Sequence, residues 1–393
     1  MRPRVMLAWE GGAGRGHAVS LARIAQALGE HCTFDAAMCR LEHASVLEPH
    51  CELVFQGAGY ITSLERRSGP ARTSAATWAD HLGDIGFSDP DLLIRQIRWW
   101  LAVFQARAST AVVADFAPCA TLAAHVAGLT TIVTGTGYLA PPAGLDEFPV
   151  FLPEYAERHH DELLLLDALN TALAAFGTAP LSRFSDIYCC NLPVIQTIAA
   201  MDPFVANRTE PYLPPIDRSM PRSLGGGDEI FIYFSTDERD DLPLLTAIES
   251  LGAKVRLFMS NIPDGLAERM TATGVKVERA PMPFEDIARR SRMTVNAGQH
   301  GSLCAALGMG LPQLAIPRHL EHLYHARRAA DLGSARVLSR AERDPATIRA
   351  AILEVYESPS MGETARQLSA SLAPDLAGPL DAILRDRLVP LLA

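Results

Sequence analysis

The chain has 393 residues, 48% of them hydrophobic, 20% charged and 7% aromatic. These are globular proportions that exclude a mainly disordered chain, and the length asks for two domains. Lys and Arg number 35 against 45 Asp and Glu, a formal net charge of −10 without a long basic run, which argues against nucleic acid as the main partner.

Residues 1–4 carry two arginines like the start of a signal peptide, but the apolar run that follows is only a strand long and ends at Glu10 and glycines. The seven cysteines include no CxxC pair, so they form neither a disulfide nor a zinc framework and suit a reducing cytoplasm. No run of 18 uncharged apolar residues is available as a transmembrane segment.

Taken in chain order, residues 5–9 read as a buried strand, and Leu21, Ile24, Ala25 and Leu28 place a helix after Gly16. Residues 32–38 read as a second strand. Asp89-Pro90 opens an amphipathic helix whose buried stripe is Leu93, Ile97, Trp100, Leu101 and Phe104, with Arg95, Arg98 and Arg107 pointing away. Residues 111–114 form a strand ending at Asp115, a helix starts at Pro118, and 130–134 is another strand. Residues 135–160 break the pattern with Gly, Pro and the aromatics Tyr138, Phe148, Phe151 and Tyr155, as a functional excursion or a surface loop does.

Residues 211–227, rich in Pro and ending in three glycines, read as a linker. A second alternating unit follows, with strands at 230–235, 254–259, 275–278, 294–296, 313–316 and 336–338. The last segment, from about 364, is helical and is free to cross back onto the first domain. Strand–helix alternation of this kind argues for α/β architecture with parallel sheets covered on both faces. The expected domains are 1–210, 228–363 and a C-terminal helical segment 364–393. Ligands of such sheets bind at the carboxyl ends of the strands, which makes a cleft between domains the natural site.

Four constellations stand at strand ends. Residues 9–17, Trp-Glu-Gly-Gly-Ala-Gly-Arg-Gly-His, form a glycine turn before a helix, a plausible phosphate or sugar-nucleotide loop that includes Gly14 and Gly16 but fits neither the dinucleotide nor the P-loop pattern. His17 at its mouth has a structural or a catalytic role open to it. Asp115 before Pro118 is either a helix cap or a carboxylate on the ligand side of the sheet. Because both stand at strand ends of one sheet they can meet, and a carboxylate behind an imidazole is how a general base for a hydroxyl is built. Ser235 and Thr236 end the first strand of the second domain and are suited to a phosphate or to a plain turn. The richest stretch runs from Val295 to Ala326, where the glycine turn after the strand precedes a helix N-terminus suited to a diphosphate, and Glu321 and His322 follow the next strand within reach of a sugar. His319, His322 and His325 do not close a zinc site from one helix, since 319 and 325 lie about 240° apart on the helical wheel.

These residues resemble the UDP-dependent glycosyltransferases of the GT-B fold, the macrolide and plant secondary-product glycosyltransferases. The resemblance covers most of the chain and is strongest at residues 5–28, 111–128 and 275–338. It implies two doubly wound Rossmann-like domains facing across a cleft, an acceptor site in the first and a nucleotide-sugar site in the second. Gly16-His17 matches the family's Gly-His, so the general-base role falls on His17 and its partner's on Asp115. Thr236, with Ser235, matches the family's hydroxyl after the first strand of the second domain.

The family's donor motif, His-Gly-Gly-x-Gly-Thr followed by Gly-x-Pro, is matched at Gly298, Gly301, Ser302, Gly310 and Pro312. It is departed from at Ala297, where the resembled family has a phosphate-contacting His, at Gln299, and at Ala305, where it has a ribose-binding Glu, and His300 is the candidate to replace the lost phosphate contact. Glu321-His322 stands where the family has the Asp-Gln pair that grips a hexose. The resemblance implies an inverting, metal-independent, cytoplasmic transferase without a cofactor, taking a UDP- or dTDP-linked sugar to a small-molecule or lipid acceptor. A sugar-nucleotide 2-epimerase using Glu10 and Glu321, and a non-catalytic sugar-nucleotide-binding protein, are the rival expectations.

Overall fold

The computed structural model describes residues 2–12, 14–58, 75–234, 238–339 and 342–392. Short apolar runs buried on both faces make the central strands, and shorter, partly exposed segments make edge strands. In the first half the strands are β1 (Arg4–Trp9), β2 (Thr33–Met38), β3 (Leu53–Gln56), β4 (Ala111–Asp115), β5 (Thr130–Gly135) and β6 (Leu192–Ile195). They form a parallel sheet in the order β3-β2-β1-β4-β5-β6. In the second half β7 (Glu229–Phe234), β8 (Val255–Met259), β9 (Lys276–Glu278), β10 (Ser291–Asn296), β11 (Gln313–Ala315) and β12 (Ala335–Val337) form another, in the order β12-β11-β10-β7-β8-β9. The strand order reverses between β1 and β4 in the first sheet and between β7 and β10 in the second. A crevice opens at such a point beyond the strands' carboxyl ends.

Strands β3 and β6 are edge strands that the hydrophobic pattern does not announce. The first is only four residues long and partly exposed. The second holds Pro193, which a sheet accepts at its edge because proline has no N–H to donate.

The contacts divide the chain into Met1–Leu213 with Pro379–Ala393, and Pro214–Gly378. The last helix, Leu380–Leu392, belongs to the first unit. Its Leu380, Leu384, Leu388 and Leu392 recur every fourth residue, so they share one face, and they are buried in one cluster with Leu21, Ile24 and Leu28 of the helix Arg15–Leu28. The second unit has its own core on Ile230, Ile232, Leu257, Val295 and Leu314.

The helix Pro90–Arg107 is capped by Asp89, which accepts from the N–H groups of Asp91 and Leu92. Leu93, Ile97, Trp100 and Phe104 are its buried face. Two expectations are corrected here. Leu101 stands beside that face and is only half-buried. Arg107 does not simply point away, because its guanidinium grips the fully buried Asp35 of β2 with two bonds of 2.9 and 3.0 Å, with Arg4 as a third donor at 3.0 Å. A buried carboxylate needs such partners.

The irregular stretch after β5 is held from beneath. Phe148 and Phe204 are fully buried, and Tyr138 stacks on Phe151 at 4.4 Å. Arg208, 1% exposed, pairs with Asp202 at 2.8 Å and donates to the Ala140 carbonyl at 2.9 Å, while the Tyr212 hydroxyl donates to Asp202 at 2.9 Å.

Candidate active site

Strands β1 and β4 run in register with Trp9 opposite Asp115, so the two chain segments that leave the sheet at its switch point start side by side. From β1 the chain passes through the glycine turn into the helix Arg15–Leu28, whose third residue is His17. His17 Nδ1 lies 2.8 Å from Asp115 Oδ1, with the His17 side chain 11% and the Asp115 side chain 3% exposed. With the carboxylate accepting from Nδ1–H, the ring's basic lone pair is on Nε2. The arrangement can take a proton at Nε2 and hold the resulting cation against a buried carboxylate.

The glycines have local reasons. Gly12 has φ +88°, and a Cβ there would sit 2.5 Å from His17 Nε2. A Cβ on Gly11 would lie 2.6 Å from the Phe116 ring. Phe116 itself has φ 44°, a left-handed conformation that a bulky residue adopts only under constraint, and its carbonyl accepts from Glu10 N at 3.2 Å. The turn therefore makes room for the imidazole and for the aromatic residue behind Asp115. Gly14 is the N-terminal cap of the helix and Gly16 lies in its first turn, where a Cβ would meet nothing within 4 Å.

Glu10 corrects two expectations. It is 1% exposed and accepts from the N–H groups of Cys119 and Ala120 at 2.9 Å each and from the Trp100 indole. It thus supplies, from the residue after β1, the anionic cap that the helix Pro118–Ala127 lacks at its own Ala117, so Asp115 is not that cap. Nor is Glu10 placed to serve a sugar as an epimerase carboxylate. Glu10→Ala should destabilise the protein by about 2–4 kcal/mol, since three donors lose their acceptor in a buried site. Thermal unfolding of the variant checks this, and an unchanged Tm would show that the cap is dispensable.

An aromatic group built on Trp78 and His81, which sequence reasoning missed, reaches this pair through Phe116, 6.5 Å from His17. Trp78 is 1% exposed, lies 5.4 Å from Phe116 and 5.9 Å from Tyr138, and donates its indole N–H to Tyr188 Oη at 2.6 Å. His81 stacks on Trp78 at 5.1 Å and meets Phe116 at 5.5 Å. Burial pushes its pKa down to about 4, against the pull of Asp84, so it is a neutral imidazole at pH 7. Trp78 and His81 lie on a five-residue helix closed by a Thr77–Asp80 capping box. Thr-x-x-Asp is the signal that marks it.

In the second unit the turn after β10 is tied by Asn296, whose side chain accepts from Gly298 N at 2.8 Å and donates to Gln313 at 3.1 Å. Gly298 has φ +82°, and a Cβ there would lie 2.7 Å from the His322 carbonyl. The close approach brings the Glu321-His322 turn of the helix Leu320–Asp331 against the loop. The helix His300–Met309 begins at Gln299 with no side-chain cap; the Gln299 amide oxygen turns back to accept from Ala297 N at 3.1 Å. Gly301 is exposed and Ser302 half-buried, so the helix's first turn is open to an anion on that side.

His300 departs from the expectation of a phosphate contact. It is 6% exposed, its Nε2 lies 3.6 Å from Cys304 Sγ, and its ring meets His325 at 5.0 Å. The side chain is spent on the helix interior, which leaves backbone N–H groups for an anion. His325 is fully buried and held well below the ordinary imidazole range by desolvation, then by His300 and His322. The His319 ring meets that of His322 at 5.2 Å. No group of three metal-binding side chains occurs among the described residues.

Ser235 and Thr236 lie outside the described residues. The segment that follows them was not singled out from sequence. Asp241 caps the helix Leu242–Glu249 and accepts from Arg318 at 2.9 Å and Arg343 at 3.1 Å, tying the segments after β7, β11 and β12 together. Nothing in the local sequence pattern marks that triad.

Two parallel sheets of this order with flanking helices define the GT-B fold. Residues 248–383 match a family model described as erythromycin biosynthesis protein CIII-like, C-terminal domain. A search of curated proteins finds no match. Among solved structures, the calicheamicin glycosyltransferase CalG4 superposes with a TM-score of 0.70 at 15% identity, covering 100% of this chain and 98% of that one. The glycosyltransferase SsfS6 from Streptomyces sp. SF2575 gives a TM-score of 0.63 at 17% identity, covering 98% and 99%. The spinosyn rhamnosyltransferase SpnG gives 0.63 at 14% identity, again covering 98% and 99%. SsfS6 and SpnG are also known as complexes with thymidine diphosphate, and SpnG with the spinosyn aglycone. No described helix is long and apolar enough to cross a membrane.

Proposed function

We propose that the protein is an inverting glycosyltransferase that moves a sugar from a nucleoside diphosphate to a hydroxyl of a small, largely apolar acceptor. The observation that carries the reading is the 2.8 Å contact between His17 Nδ1 and Asp115 Oδ1 at the switch point of the first sheet. His17 Nε2 takes the hydroxyl proton as the acceptor oxygen forms its bond to the anomeric carbon. The bond from that carbon to the phosphate oxygen breaks in line, and the nucleoside diphosphate leaves with the electron pair. Asp115 orients the imidazole and offsets its charge. The open first turn at Gly301 and Ser302 stabilises the departing diphosphate through backbone N–H groups, with Ser235 and Thr236 as further donors. No metal or cofactor enters the scheme. The acceptor packs against the first unit, near Tyr138 and the half-buried His81.

The fold, the match over residues 248–383 and the transferases of similar structure support this reading. Glu321 and His322, both half-buried, face the donor sugar. A carboxylate one methylene longer than Asp and a ring in place of an amide suit a deoxy or amino sugar better than glucose. With Ala305 in the place of a ribose-binding Glu, thymidine diphosphate joins uridine diphosphate as carrier, as the complexes of SsfS6 and SpnG support.

The test is competition among UDP- and dTDP-linked sugars at equal concentration, with mass spectrometry for the glycoside. A deoxy or amino sugar should give the highest kcat/KM, and Glu321→Ala should blur the ranking by about 5–100-fold while nucleotide binding holds, since an unpaired buried hydroxyl costs about 1–3 kcal/mol. A highest kcat/KM with UDP-glucose, or an unchanged ranking in Glu321→Ala, would overturn the donor assignment. No glycoside from any donor would overturn the function.

A further inference from the structure

The face of the His17 imidazole is occupied by a second ring. Trp9 and His17 are stacked, with centroids 5.1 Å apart and planes 23° from parallel. Trp9 is fully buried, stands opposite Asp115 in the strand register, and its indole N–H donates to the Gly11 carbonyl inside the glycine turn. Strand pairing and that bond fix the indole face in place. His17 is thus bounded at Nδ1 by a carboxylate and on its face by the π-system of the largest aromatic side chain.

Resting on the general-base reading, we infer that Trp9 is a positioning residue of the transfer reaction, holding the His17 ring in plane with Asp115 and stabilising the imidazolium that forms when Nε2 takes the acceptor proton. An indole face is the most strongly electronegative of the aromatic faces, and it attracts a cation most when both are shielded from water. At 5.1 Å the charge lies within the range where that attraction acts. A plain core residue at the end of β1 needs bulk, which Leu, Met or Phe supplies. Only the indole supplies this face and the N–H that closes onto Gly11.

Other charged and titratable groups border the ring. Asp115 accepts at Nδ1. Arg40 Nε donates to the Gly12 carbonyl at 3.3 Å, in the glycine turn. Glu10 turns away to the helix Pro118–Ala127. His81 meets Phe116, which is 6.5 Å from His17. His43 stacks on Trp9 at 6.1 Å and 20°. Among the described residues, His43 is the titratable ring that shares the indole with His17, so it is the control.

The experiment records kcat/KM against pH for the wild type, Trp9→Phe, Trp9→Leu and His43→Ala, together with an NMR titration of the His17 ring that needs no turnover. Loss of the indole should make imidazolium harder to form. The acidic limb should therefore move to lower pH, corresponding to about 3–10-fold weaker proton affinity in Trp9→Leu and a smaller shift in Trp9→Phe. His43→Ala should leave the limb in place, and kcat should fall in the order wild type, Phe, Leu. If Trp9→Leu does not fold, Trp9→Phe and its NMR titration carry the comparison. Coincident limbs and His17 titrations in wild type and both Trp9 variants, or a limb that follows His43→Ala, overturn the inference. The general-base reading is tested separately by His17→Ala: full activity there sinks that reading, whereas a dead His17→Ala with an unmoved Trp9 series sinks the inference alone.

Discussion

His17→Ala is expected to lower kcat by about 10²–10⁴-fold while leaving nucleotide affinity nearly unchanged. The reasoning is local. The imidazole belongs to the first unit, where Nδ1 is held 2.8 Å from Asp115, and alanine removes the proton acceptor without disturbing the helix Arg15–Leu28, whose buried face is Leu21, Ile24 and Leu28. Asp115→Asn should cost less, because the amide oxygen still accepts from Nδ1–H and His17 remains. Steady-state kinetics with calorimetry for the nucleotide separate chemistry from binding. Wild-type transfer by His17→Ala to a hydroxyl of ordinary acidity would remove the base from the scheme.

Gly12→Ala should cost about 10²-fold in kcat, although it adds a single methyl group. The backbone there has φ +88°, so alanine is strained by about 1 kcal/mol. More damaging is the position of the methyl, 2.5 Å from His17 Nε2, a separation no real Cβ contact tolerates. Either the imidazole swings off Asp115 or the turn opens, and a displacement of about 1 Å at reacting groups is enough for a loss of this size. The expected signature is a large fall in kcat with a modest fall in Tm. Unchanged kcat would show that Nε2 is not the nitrogen that matters.

The strands that carry the site were legible because each is an apolar run ended by a residue of another kind: β1 by Glu10, β4 at Asp115, β10 at Asn296. The edge strands of the first sheet were not, since a half-exposed strand of four residues and one containing Pro193 lack the buried pattern that betrays a parallel sheet. The proximity of His17 and Asp115 followed from their places at adjacent strand ends. What the glycines do did not follow. Local sequence cannot say that Gly12 faces an imidazole nitrogen, or that Gly11 lies under a phenyl ring contributed from the end of β4. Glu10 was open to the rival epimerase reading as a sugar-facing carboxylate because its partners, Cys119, Ala120 and Trp100, are distant in the chain. His300 was read as a phosphate ligand because helix position alone does not show that Cys304 and His325 hold its ring. Trp78 and His81 were passed over for a related reason, as their importance rests on Phe116, Tyr138 and Tyr188.

The most direct test of the account is the anomeric configuration of the product. An α-linked nucleoside-diphosphate sugar labelled with carbon-13 at the anomeric position is turned over with a hydroxyl acceptor, and the glycoside is read by NMR. In-line attack by an oxygen deprotonated at His17 predicts a β-linked glycoside, formed one for one with nucleoside diphosphate. An α-linked glycoside, or donor returned with an altered sugar and no acceptor product, would contradict it.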